Sequence, residues 1–229
     1  MGSTSERRKE AEAAWDKALK AYAQGLSLVP ENRENLKTWW KTQIETAENA
    51  KNQNAAWVLF CTAQKATNLA IVAESKANAA PAAEQSPLWD EAIERRREAE
   101  AAWDEAFKAL AQGLSLVPEN RDDLKTWWKK SIENTNTRLM VSKAESMAIE
   151  ADGKAWRGLA TDAGPLFDEA IVRRKETIAA YDEELKLWKR KLAEANNEVF
   201  KAWYKSEITR AENAKNHHSA QLAGLFHVF

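Results

Sequence analysis

At 229 residues the chain has room for one large domain or two small ones, and its 30% charged residues balance to a net charge of −1, so no global field argues for nucleic acid or an anionic membrane; charge leaves the partner class open, and a nucleic-acid partner is not expected. Seven Gly and five Pro are few enough for long, seldom broken helices, and an Ala-, Glu-, Lys- and Arg-rich composition points the same way. The single cysteine, Cys61, excludes an intramolecular disulfide framework and fits a reducing, cytoplasmic compartment.

The first nine residues have no apolar run behind their basic side chains, so no secretory signal is expected. Ser5 can cap a first helix whose apolar residues Ala11, Trp15, Ala18, Leu19, Tyr22 and Leu26 fall three and four apart, making one buried stripe. Gly25 weakens its last turn, and Pro30 suits the first turn of the next helix. That second helix is predicted from about Glu31, with Leu36, Trp39, Trp40, Ile44 and Ala47 on one face; unbroken to Lys76 it would span ~70 Å, and Asn49–Asn54 allows a bend. The most apolar stretch, Ala55–Ala73, is interrupted by Gln64, Lys65, Thr67 and Asn68, so no transmembrane segment is expected. A Pro- and Ala-rich linker follows over 78–87.

Beyond it the chain repeats itself. Residues 94–129 match 6–41 at 30 of 36 positions, including the run from Leu26 to Lys41, rewritten from Leu114 to Lys129 with two changes. Ser86 and Pro87 are expected to open this copy's first helix, and its second should end near Asp152-Gly153, before a linker over 153–165 that holds Trp156 and Gly158. A third, diverged copy begins at Asp168–Lys175, which echoes Asp90–Arg97, and continues in Phe200–Ile208, which echoes Leu36–Ile44. Its hairpin turn has lost two residues and the proline. Apolar residues hold a 3.5-residue spacing through that point, which allows a continuous helix, while Asn196-Asn197 favours a turn. The apolar tail Leu222–Phe229 is expected to dock on the chain's own core. These features predict an all-α fold of three tandem helical hairpins, over 1–77, 88–152 and 166–229, forming an elongated bundle or short solenoid that buries a continuous core by stacking.

The run Ala18, Tyr22, Gly25, Leu26, Leu28, Pro30 and Asn32 resembles the second helix and exit loop of a tetratricopeptide repeat, and Ala106, Leu110, Gly113, Leu114, Leu116, Pro118 and Asn120 repeat it. The resemblance covers about 15 residues per copy and implies a peptide-binding scaffold. Trp40 and Trp128 stand where that family has a small residue, and the period departs from its 34, so no family is assigned.

Eleven Trp residues are the compositional anomaly. Trp15, Trp103 and Tyr181 are equivalent positions, as are Trp39, Trp127 and Trp203, and Trp40, Trp128 and Tyr204. The simpler reading is a wide apolar stripe buried between helices; the sharper one is a Trp-lined cavity for a hydrophobic or cationic small molecule. Three basic triplets also recur, Arg7-Arg8-Lys9, Arg95-Arg96-Arg97 and Arg173-Arg174-Lys175. Stacked, they could grip acidic groups, but Glu91 and Glu169 lie four residues before Arg95 and Arg173, as in ordinary intrahelical pairs, and a solvated face is expected. His217 and His218, with Glu212 nearby, point about 100° apart on a helix and are not expected to share a metal ion. Phosphate loops, nucleophile elbows and metal-binding helix motifs are missing from the sequence, so neither cofactor nor catalysis is expected. The predicted function is non-enzymatic binding of a protein partner or self-association through Trp39, Trp40, Trp127, Trp128, Trp203, Tyr204 and Arg95, Arg96 and Arg97; the alternative is a carrier or sensor of a hydrophobic ligand.

Overall fold

The computed structural model describes residues 4–157 and 164–225, apart from the side chains of 4–9, 82–83 and 156–157. Helix makes up 92%, and the described residues include no strand. Six helices follow one another: α1 Thr4–Ser27, α2 Glu34–Ala79, α3 Ala82–Ser115, α4 Asp122–Arg157, α5 Gly164–Glu194 and α6 Glu198–Leu225. The Arg7–Lys9 side chains, that of Trp156, Gly158 and the Phe226–Phe229 end of the tail lie outside the described residues.

Several helix ends differ from the sequence expectation. Pro30 sits in the turn rather than in α2; its carbonyl accepts the Arg33 N–H at 3.0 Å, and the helix opens at Glu34 instead of Glu31. The break between α2 and α3 is confined to residues 80–81, so most of the expected 78–87 linker is helical and Pro87 lies inside α3. Pro81 stands just before the opening of α3 instead, its carbonyl accepting the Glu84 N–H at 2.8 Å; a proline at a helix start gives up no intrahelical bond, whereas Pro87 does. α4 continues through Asp152-Gly153 to Arg157. The α5–α6 junction is a turn, as Asn196-Asn197 suggested, with Asn197 Oδ1 accepting the Val199 N–H at 2.8 Å to cap α6.

The chain divides into two compact units. Unit one comprises residues 1–58 and 109–129, and unit two 59–108 and 130–229. In unit one the joint between paired helices is a glycine against an indole. A Cβ on Gly25 would meet the Trp40 ring at 2.6 Å, and one on Gly113 would collide with the Trp128 ring. Gly25 therefore admits a Trp rather than merely weakening a helix. Trp128 is fully buried and donates to Asn49 Oδ1 at 2.6 Å.

Unit two contains cores that recur along the chain. Ala73, Ala77, Trp89 and Ala92 cluster with Ile149, and Ala151, Ala155, Phe167 and Ala170 cluster with Leu225. The first four of each set differ by 78 residues and the last pair by 76. A second pair of cores follows the same offset, Ala63, Ala102, Trp103 and Phe107 against Val141, Ala180, Tyr181 and Leu185. By length and composition alone α2 is apolar enough to cross a membrane, which the polar interruptions at 64–68 had argued against. In unit two its residues Ala63, Ala73 and Ala77 pack in these clusters with side chains of α3.

Candidate functional site

In unit one the two Pro-containing turns have the same geometry. Val29 N–H bonds Leu26 O and Val117 N–H bonds Leu114 O, both at 3.2 Å, while Arg33 and Arg121 N–H bond Pro30 O and Pro118 O. Lys37 Nζ closes the first turn onto Glu31 O at 2.9 Å, and Lys125 Nζ closes the second onto Glu119 O. So fixed, each turn holds a leucine outward: Leu28 is 83% exposed and its counterpart Leu116 63%. Beside the first turn Leu36 is also exposed, and Trp39 is 50% exposed. Trp39 stands edge-on to Trp40 with ring centroids 4.8 Å apart, and Trp127 to Trp128 at 4.9 Å. Adjacent Trp residues thus have different roles: the second enters the glycine joint, and the first forms a shelf next to the turn, exposed at Trp39 and half-buried at Trp127.

In unit two Trp203 and Tyr204 are half-buried and both pack on fully buried Trp188, at 5.4 and 6.1 Å between centroids. Val199 and Phe200, at the start of α6, are exposed. Phe200 is the sequence counterpart of Leu36, so apolar exposure next to the hairpin turn occurs there too.

The basic triplet is not one solvated face. Arg95 pairs with Glu98 at 2.8 Å, and Arg97 is exposed and pairs with Glu150 at 3.3 Å. Arg96, by contrast, is buried between Glu74 and Glu145. Arg174 is likewise buried, against Asp152. The Glu74–Arg96 and Asp152–Arg174 pairs both span 22 residues and are themselves 78 apart. Tyr181 donates to Glu145, just as its counterpart Trp103 donates to Thr67 at 2.9 Å. Burial alone would push the Glu145 carboxyl up, but Arg96, His218 and Tyr181 together hold it down to about 2. Burial pushes Asp152 up despite Arg174, and it raises Tyr181 strongly, with the Glu145 charge adding to the effect.

His218 joins this network. Arg174 can only donate, so His218 Nδ1 accepts from it, and the ring proton sits on Nε2, which faces Glu145 Oε1 at 3.5 Å. Its lone pair is thereby occupied, whereas the neighbouring His217 is exposed. Among the described residues no group of three His, Cys, Asp or Glu side chains could hold a metal ion. A second charged cluster places Arg138 against Glu184 at 2.9 Å, beside Glu207, with its guanidinium 5.5 Å from the centre of the Trp188 ring. A groove of about 560 Å³ between α5 and α6 is lined by Asp182, Leu185, Lys186, Lys189, Glu212, Lys215 and Asn216; none of the candidate aromatics lines it.

The sequence therefore picked out the Trp pairs but not the leucines beside them, although Leu28 and Leu116 lie in the most faithfully repeated stretch. No protein-family model, curated protein or solved structure matches the chain, so the tetratricopeptide-like stretch is not extended to a family by comparison.

Proposed function

We propose that the chain is a non-enzymatic scaffold of three tandem helical hairpins, which binds a protein partner or a second copy of itself through the turns of its hairpins. The observation that carries this reading is the outward placement of Leu28 and Leu116 by the same turn geometry at equivalent positions. Each of these leucines would contribute roughly 1.5–3 kcal/mol on being buried by a partner. The recurrence of the unit-two cores at a 78-residue offset supports the tandem reading. The charges that might have served chemistry are tied up: Arg96 and Arg174 each face buried carboxylates, and His218 is held by Arg174. Apolar steps flanked by lysines suit recognition of a folded surface rather than bond-making.

The test compares the wild type with a Leu28→Ser/Leu116→Ser variant by light scattering over a range of concentrations, and follows Trp emission on titration with apolar ligands. Association that rises with concentration in the wild type and is lost in the variant supports the scaffold. Identical monomers together with a saturable change in Trp emission contradict it and favour a small-molecule carrier.

A further inference from the structure

Within unit two, the second half of α2, α4 and α6 occupy equivalent places, related by 78 and then 76 residues. On α4 the row Leu139, Ser142, Ser146 and Ile149 is buried, Ile149 completely. Helix α3 lies over it: Ile149 clusters with Trp89, Ala92 and Ile93, and Leu139 with Trp103. On α6 the counterpart of Ile149 is Leu225, buried with Phe167 and Ala170 from the opening of α5. The two covering segments read Leu-Trp-Asp-Glu-Ala-Ile at 88–93 and Leu-Phe-Asp-Glu-Ala-Ile at 166–171.

The corresponding row on α2 is Cys61, Gln64, Asn68 and Ile71. Cys61 and Asn68 are exposed, Ile71 is 45% exposed, and Val72 beside it is 51% exposed. The row carries no charged side chain, so it matches an apolar helix face. The opposite face of α2 is occupied, with Ala63, Ala73 and Ala77 in the clusters shared with α3.

We infer that this row of α2 is a docking site for an amphipathic helix supplied by a partner protein, one that presents Leu, an aromatic residue, Ala and Ile at the spacing of 88–93. The occupant is inferred from the molecule's own interfaces, where that pattern covers the row on α4 and, on α6, the Leu225 position equivalent to Ile149. A second copy is a poor donor, because both of its segments of this type are already buried in cores of their own. The surface shares no residue with the hairpin turns, so the two proposals fail independently.

Cys61 is the chain's only cysteine and lies in the row, so its thiol reports occupancy. A helix-stabilised peptide of residues 84–105 contains Trp89, Ile93 and Trp103, the residues that cover Ile149 and Leu139, the counterparts of Ile71 and Cys61. Added to the full chain, this peptide is expected to slow the reaction of Cys61 with dithiobis-nitrobenzoate by roughly tenfold at saturation. A peptide carrying Trp89→Asp and Ile93→Asp should leave the rate unchanged. Ile71→Glu, and separately Asn68→Lys, should abolish protection while the far-ultraviolet dichroism stays that of the wild type. An unprotected thiol at saturating peptide, or protection that survives both substitutions, overturns the inference. So does protection produced without peptide, either by raising the protein concentration, which would make the occupant a second copy, or by phosphatidylcholine–phosphatidylglycerol vesicles, which would make it a lipid surface.

Discussion

Gly113 and Trp128 show how much one side chain decides. The Trp128 ring occupies the space where a Cβ on Gly113 would stand, so Gly113→Ala forces the indole out of its place and away from Asn49. Overpacking of this kind costs about 1–3 kcal/mol, to be read as a lower urea midpoint with an unchanged slope. The fifteen-residue spacing from glycine to Trp is present in both copies, but the sequence does not say which indole of the pair turns inward. The buried arginines were hidden for a different reason. Arg95, Arg96 and Arg97 look alike as a basic run, and only the packing of α2 and α4 around α3 singles out the middle one. Glu145 gives this network a pH signature. Its carboxyl is held at about 2 in the folded chain against an ordinary 4.5. Its contribution, on the order of 3 kcal/mol, is therefore present above the ordinary carboxyl range and lost as pH falls from there toward 2. Asp152 and Glu184 are pushed up by burial and act in the opposite sense, so the quantity to measure is the difference between wild type and Glu145→Gln. That difference in unfolding free energy should shrink across this window.

At the scale of the element, helix type was legible throughout and helix ends were not. Ala-rich stretches with three-and-four spacing announce helices whatever surrounds them, and all six are present. Prolines mislead because only their setting tells a turn from a tolerated interior position: Pro30 lies outside its helix, Pro87 inside. The α5–α6 turn was readable because Asn197 carries its own capping group. Asn197→Ala removes the 2.8 Å bond to the Val199 N–H and is expected to cost about 1 kcal/mol in thermal or urea unfolding, with Asn197→Ser recovering most of it.

For the whole molecule, the repetition in the sequence reappears in unit two as a repetition of contacts: Trp89 becomes Phe167, Trp103 becomes Tyr181, and Arg96 becomes Arg174, each with a corresponding partner. The sequence showed that residues recur; it could not show that Ile149 would be buried while Ile71, its counterpart 78 residues earlier, stays exposed. Nor could it show that the turn leucines point outward, because Leu26 and Leu28 look alike in the chain while one is half-buried and the other exposed. The turn leucines carry the functional reading, and site-specific photo-crosslinking tests them most directly. With a benzoylphenylalanine placed in turn at positions 28, 116 and, as a control on another exposed surface, 108, the protein is irradiated in an extract of the cells that make it. Positions 28 and 116 are predicted to give the same discrete crosslinked band, containing either a partner polypeptide or a second copy, and position 108 none. Crosslinks confined to the chain itself at all three positions would contradict the account.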